Sequence, residues 1–150
     1  MAGGELARVD ERSIVVSAAV PVVWRSVAEV AERAFSAGWV GPVARALGCR
    51  DTAASGPRPL ATGSTFPGFR VAADEPRELA LLGGHRFSEY ALIFRLDDRA
   101  DGTTRLRAET RADFPGLRGS LYRAAVIGTR GHALVVHRLL RAAARHAERT

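Results

Sequence analysis

One histidine of this chain is a candidate for contact with a bound molecule. His132 falls on the apolar stripe of the last predicted helix, next to Gly131 and within one turn of Thr129. An imidazole titrates near neutral pH, so it can hydrogen-bond a ligand or act as an acid or base. The alternative is a half-buried histidine whose ring bonds a backbone carbonyl, and the apolar neighbours favour that alternative.

Three hydroxyl-bearing side chains are predicted to face the same space as this histidine. They are Tyr90, Thr110 and Tyr122. A mostly apolar pocket with a few convergent polar groups is the common form of a small-molecule site. Tyrosine is also frequent in strands and at helix starts, with its hydroxyl at the rim of a closed core. Both interpretations stay open at this stage.

No motif of nucleophilic or metal chemistry accompanies these residues. The serines lack a nucleophile elbow, and the glycine-rich stretches lack a phosphate-binding spacing. His132 and His137 point to different faces of a helix, and the single cysteine, Cys49, has no metal-ligand spacing around it. Glu89 and Glu109 fall on a charged strand face, where arginine is expected to pair with them. We therefore expect no metal and no cofactor, and we assign no catalytic residue.

Composition limits the class of protein. The length of 150 residues predicts one domain, with residues 1–9 flexible. A single cysteine excludes an intrachain disulfide framework and favours the cytoplasm. The run IVVSAAVPVVW (14–24) does not fit a signal peptide, because acidic residues precede it and Pro21 interrupts it. No apolar run approaches the roughly 20 residues that cross a bilayer, so no transmembrane segment is expected.

The net charge of +6 raises the question of a nucleic-acid partner. Every basic residue is arginine, and along the strands the arginines alternate with acids. Only the C-terminal segment builds a surface of one sign. We expect no nucleic-acid partner; a nucleic-acid or membrane-surface module that acts through this segment is the least favoured hypothesis, and it predicts steeply salt-dependent binding. The oligomeric state stays open.

Hydrophobic periodicity and turn residues predict the order of elements. A first strand is expected over 12–18, a helix from Pro21 to a stop at Gly38, a short helix over 42–48, and a long loop over 49–64. Further strands follow, and a helix is expected from 117 to 147, weakened by Gly128 and Gly131. The predicted further strands are a short piece near 64–66, then 68–74, 78–83, 86–97 and 103–114.

The last two strands fix the length of the loop between them. In TRLRAETRADF (104–114) the uncharged residues are even-numbered, and in the preceding strand the even positions are also the apolar ones. Residues opposite each other in an antiparallel pair share a face, so even must pair with even. The loop then has an odd number of residues. Ala100-Asp101-Gly102 fits, with Gly102 in the left-handed conformation.

Several stretches carry a resemblance to a known superfamily. IVVSAAVPVVW, ELALLGGHRFSEYALIFRL and FPGLRGSLYRAAVIGTRGH, which leads into VVHRLLR, resemble the START-like or SRPBCC superfamily, which includes polyketide cyclase-like proteins and bacterial members of unknown function. The resemblance spans about residues 12–147. It implies an α+β helix-grip fold, in which a curved antiparallel sheet wraps a long C-terminal helix and one or two short helices follow the first strand.

That fold implies a cavity between the sheet and the C-terminal helix. The small even residues of β-strand 103–114 would fill little of it. The competing expectation is that Trp24, Trp39, Phe66 and Phe69 fold inward and the helix packs down on them. The side chains predicted to line the cavity are Tyr90, Leu92, Phe94, Ala108, Thr110, Ala112, Tyr122, Thr129, His132 and Val136.

Two hypotheses of function follow from the resemblance. The first is a protein that binds a small apolar, aromatic or lipid-like molecule in this cavity. The second is an enzyme of the cyclase or aromatase kind, which would use the same pocket with His132 and Tyr122 as acid–base groups. The second requires those side chains to converge within hydrogen-bond reach.

Overall fold

The computed structural model of this protein describes residues 6, 8–57, 60–86, 88–113 and 131–149. The first part of the helix predicted over 117–147, residues 117–130, lies outside these residues. The described strands and helices follow one another in the order expected from the sequence. The described elements are β1 (Arg8–Val16), α1 (Val20–Phe35), α2 (Val40–Leu47), β2 (Thr65–Phe66), β3 (Phe69–Glu75), β4 (Glu78–Gly84), β5 (Glu89–Asp98), β6 (Thr104–Asp113) and α3 (Gly131–Glu148).

The strands form a single antiparallel sheet in the order β1-β6-β5-β4-β3-β2. Side chains alternate between its two faces, as the sequence pattern predicts. On β5 the even residues Leu92, Phe94 and Leu96 enter the main core. The odd residues Ala91 and Ile93 face the other way and form a small apolar cluster of their own.

The register of β5 and β6 confirms the predicted parity. Leu92 lies opposite Thr110 and Phe94 lies opposite Ala108, so even residues pair with even. The N–H of Arg99 donates to the carbonyl of Thr103 at 3.0 Å, which leaves three residues in the loop. The last of them, Gly102, has a φ of 82°. The three-residue loop with a left-handed glycine is therefore confirmed.

Gly102 provides a test of backbone strain alone, because a Cβ added there meets nothing within 4 Å. We expect Gly102→Ala to lower the free energy of unfolding by about 1–2 kcal/mol, since alanine resists positive φ. Gly102→Asn is the matched control, because asparagine tolerates this conformation and should restore most of the loss. Urea denaturation measures both. Equal stability of the two variants would contradict the strain argument.

Helix α1 begins where the sequence predicts, with Pro21 in its first turn. Its buried residues Val23, Val27 and Ala31 recur at helical spacing and pack against the inner face of the sheet. Helix α3 lies beside α1 and contributes Val136 and Leu140 to the same core. Among the described residues, no helix has both the length and the hydropathy needed to cross a membrane.

Helix α2 is anchored to one end of the sheet. It ends at Gly48, whose φ of 73° turns the chain back toward the strands. The N–H of Arg50 then donates to the carbonyl of Gly84 at 3.0 Å, and the N–H of Arg86 donates to Leu47 at 3.1 Å. These bonds hold α2 over the ends of β4 and β5.

Strand β1 starts four residues before its predicted position. The charged stretch RVDER has no apolar alternation, which is why the sequence analysis begins the strand at 12. In the structure Glu11 forms an ion pair with Arg107 of β6 at 3.3 Å. Pairing with β6 therefore extends the strand through residues that pattern alone assigns to a loop.

Candidate functional site

A groove of about 370 Å³ lies between the end of α1, helix α2 and the ends of the neighbouring strands. Helix α2 forms one wall, and the turn between β2 and β3 forms the opposite wall. Helix α3 reaches the groove with Val135. The lining residues within the described part of the chain come from helices, strands and the links between them, and most are apolar. The lining also includes Phe35, Trp39, Val43, Cys49, Phe69, His85 and Tyr90.

Aromatic rings build the floor of this groove. The ring centroids of Phe35 and Phe69 are 4.6 Å apart, and those of Phe69 and Tyr90 are 5.2 Å apart in an edge-to-face arrangement. Phe66, fully buried, stacks behind Phe35 at 5.7 Å. Such ring pairs add stability beyond the area they bury. The floor is therefore an apolar surface built from aromatic rings that are tilted against one another.

Tyr90 is held in place from several sides. Its hydroxyl donates a hydrogen bond to the carbonyl of Gly68 at 2.6 Å, which ties β5 to the turn between β2 and β3. Its ring lies over Gly83, its partner on β4. A Cβ at position 83 would collide with both the Tyr90 ring and the Gly68 carbonyl. The absence of a side chain at Gly83 therefore allows this position of Tyr90.

Two further polar side chains lie beside this tyrosine. The Cys49 Sγ is 3.9 Å from the Tyr90 Oη, and the His85 ring centroid is 5.6 Å from that of Tyr90. Burial lowers the pKa of His85. Burial also raises the pKa of the Cys49 thiol, against the opposing effect of its hydrogen bond with Tyr90, and the charge of Asp51 raises it further. Both groups are thus uncharged at neutral pH.

The groove also gathers exposed apolar side chains. Trp39 is 69% exposed, Val135 49% and Val43 45%, and all three line it. Among the described residues only Leu134 and Val15 are other large apolar side chains with comparable exposure. Apolar side chains clustered at one depression are typical of an interaction site.

Comparison with solved structures reveals the same architecture in proteins of very different sequence. The aromatase/cyclase ZhuI from Streptomyces sp. R1128 has a TM-score of 0.59 at 14% identity, over 97% of this chain and 95% of that chain. The truncated norcoclaurine synthase from Thalictrum flavum has a TM-score of 0.54 at 10% identity, over 97% and 95%. The protein Ara h 8.0201 has a TM-score of 0.53 at 9% identity, over 94% and 97%.

The chain therefore has the helix-grip fold. The α+β fold predicted from the sequence is confirmed, with the curved sheet, the helices after the first strand and the C-terminal helix packed on the sheet. No protein-family model and no curated protein sequence matches the chain. The comparisons at this level of identity concern the helix-grip fold and not its activity.

The groove is not the predicted cavity between the sheet and the C-terminal helix, and the lining of that cavity stays a prediction. Tyr90 lines the groove. Thr110 faces the interior, and its Oγ1 is buried with no hydrogen-bond partner among the described residues. Tyr122 and Thr129 lie outside the described residues, as does the side chain of His132, so their roles stay predictions. The remaining predicted residues are buried: Leu92, Phe94, Ala108, Ala112 and Val136.

Sequence reasoning did not predict that His85 and helix α2 contribute to the groove. The structure places His85 half-buried in the groove wall, although it was not among the side chains predicted to line a pocket. Helix α2 carried a usable signal, because Val40, Val43 and Leu47 recur at helical spacing on one face. That spacing predicts an apolar face on a short helix. It does not indicate which strand ends the face will meet.

A second polar cluster joins α1 to α3 inside the helix grip. The His146 Nδ1 is 2.9 Å from the Ser26 Oγ, and the His146 Nε2 is 2.9 Å from the Glu29 Oε2. A serine, a histidine and an acidic residue linked in this order are the residue types of a serine hydrolase triad. Ser26 is only 1% exposed, however, so no substrate can reach its oxygen. The cluster clamps the two helices together and is not a catalytic site.

Proposed function

We propose that this helix-grip protein binds a small apolar or aromatic molecule in the groove between α1, α2 and the strand ends. The observation that carries the proposal is the groove itself, about 370 Å³, with exposed Trp39, Val43 and Val135 on its walls. Ligand sites typically measure about 300–1,000 Å³. Each square ångström of apolar surface that a ligand covers contributes roughly 25 cal/mol.

Native mass spectrometry of the protein from its producing cells tests the proposal directly. An extra mass of a few hundred daltons, lost on denaturation, is expected if the groove holds a ligand. A bare chain mass, together with no thermal shift in a screen of apolar compounds, would contradict it.

Two neighbouring residues of α3 offer a matched pair of variants. Val135 lines the groove and is 49% exposed, whereas Leu134 is 52% exposed and does not line it. We expect Val135→Glu to weaken binding of the neutral probe N-phenyl-1-naphthylamine about tenfold or more, because the ligand would desolvate a carboxylate. Leu134→Glu should leave the affinity unchanged. Fluorescence titration measures both, and an equal loss in the two variants would contradict the assignment of the groove.

A cyclase-type or aromatase-type enzyme is the second candidate. The observation that favours it is the shared position of the Tyr90 hydroxyl and the His85 imidazole in one apolar groove. A phenol and a neutral imidazole can exchange protons with a bound substrate. Its test compares the compounds released from the native protein and from Tyr90→Phe. Different masses would support chemistry at the groove, and identical masses would favour binding alone.

A further inference from the structure

We propose that the groove selects an uncharged, ring-containing ligand whose hydrogen-bonding group points toward Tyr90. This inference rests on the proposed function and narrows its ligand class. It depends on three features of the described residues: the lack of charge in the lining, the aromatic floor, and the placement of the polar side chains at one end.

The lining of the groove differs from the rest of the chain in charge. The chain has 22 arginines and 16 acidic residues, yet among the described residues none of these lines the groove. Arg50 follows Cys49 directly, but its guanidinium is ion-paired with Glu89. A second groove, about 440 Å³ near the start of α1, includes Arg25, Arg77 and Asp98 in its lining. Among the described lining residues, charged side chains are thus present in the second groove and absent from the first.

The polar groups of the lining lie together at the Tyr90 end. The Cys49 Sγ lies 3.9 Å from the Tyr90 Oη, and the His85 ring is 5.6 Å from the Tyr90 ring. The thiol and the imidazole are neutral at pH 7, because burial acts against their charged forms. A ligand hydroxyl or carbonyl can hydrogen-bond with such groups. The rings of Phe35 and Phe69 in the floor offer aromatic surface on which a ring of the ligand can pack.

An ionic ligand would gain little here. A carboxylate or ammonium placed at the Tyr90 end loses its hydration and finds no counter-ion among the described lining residues. The net charge of +6 attracts anions from a distance, but salt at 0.15 M screens that attraction beyond about 8 Å. The balance therefore favours a neutral ligand over either ion.

Three pyrene probes with the same ring body test the inference: 1-pyrenemethanol, 1-pyrenecarboxylate and 1-pyrenemethylammonium. Fluorescence titration of the full chain at pH 7.5 and 0.15 M salt is expected to show at least about tenfold tighter binding of the alcohol than of either ion. Binding of either ion as tight as that of the alcohol would overturn the charge selection and leave the proposed function standing. Failure of all three probes to bind would overturn both.

A charge placed in the wall should reverse the selection. Val43 lines the groove at 45% exposure, whereas Val15 lies outside it at 43% exposure, so the two valines are matched. We expect Val43→Arg to tighten binding of the carboxylate probe about tenfold and to weaken binding of the ammonium probe. Val15→Arg should leave both affinities unchanged. Melting temperatures confirm that both variants are folded. If folded Val43→Arg binds the carboxylate and ammonium probes with the affinities of the unchanged chain, the assignment of this groove is overturned.

Discussion

Replacement of Gly83 by alanine is expected to lower the free energy of unfolding by about 3 kcal/mol and to abolish binding of an apolar probe. The added methyl group would collide with the Gly68 carbonyl and with the ring of Tyr90. Backbone cannot move aside as a flexible side chain can, so strand β4 or the turn at Gly68 must shift. Tyr90 then loses its place in the floor of the groove and its 2.6 Å hydrogen bond.

Thermal unfolding and probe titration measure this prediction together. For a chain of this size, about 3 kcal/mol corresponds to a fall of roughly 6–12 °C in Tm. Gly38→Ala is the control, because a Cβ there meets nothing within 4 Å and the backbone is not in the left-handed region. A Gly83→Ala protein with the Tm and the probe affinity of the unchanged chain would contradict the role assigned to this glycine.

Strand parity could be predicted because it depends on a period of two residues. The faces of β5 and β6, their register and the odd loop at Gly102 follow from which positions carry charge. The same logic fails at the start of β1, where Glu11 and its neighbours are held by partners on β6 rather than by a pattern of their own. Local alternation predicts a strand only where a core lies against one of its faces.

The groove could be predicted only in part. Tyr90 was expected near a ligand because it lies on the inward face of its strand. The contact between Tyr90 and Gly68, and the need for Gly83 beneath the ring, join segments distant in the chain. Cys49 and His85 reach the same place because α2 is hydrogen-bonded to the ends of β4 and β5. The spacing of residues within one helix or strand does not indicate which distant segments will contact it.

The outer face of the sheet differs from expectation in a way that bears on stability. Glu89 and Glu109 were both expected on an exposed charged face with arginine partners across the strands. Glu89 is half-exposed and pairs with Arg50 from the segment after α2, not with a neighbouring strand. Glu109 is only 3% exposed. A residue of charged type can therefore be buried on a face that is solvated elsewhere.

Arginines surround the Glu109 carboxylate. Arg111 hydrogen-bonds it, and Arg95 lies 3.3 Å from it and Arg8 3.6 Å. Burial by itself raises the pKa of Glu109, but the hydrogen bond from Arg111 and the charges of Arg95 and Arg111 outweigh burial and lower it. The carboxylate is therefore ionised in the folded protein at neutral pH, and it offsets the charge of two half-buried guanidinium groups.

Glu109→Gln is expected to lower the free energy of unfolding by about 2 kcal/mol at pH 7, because it leaves these guanidinium groups without their shared anion. Glu89→Gln is the matched control, with an expected loss below about 1 kcal/mol, since its ion pair is exposed. Urea denaturation of both variants at pH 7 measures the difference. Equal losses would contradict the special position of Glu109.

The effect also has a defined pH dependence. Because the pKa of Glu109 in the folded protein lies below its ordinary value of 4.5, the unfolded chain takes up the proton first as the pH falls. The stabilisation by Glu109 is thus fully present above about pH 4.5 and is lost as the pH falls through the folded-state pKa. The stability gap between the unchanged chain and Glu109→Gln should close on acidification, whereas a gap that comes from side-chain packing alone would persist at low pH.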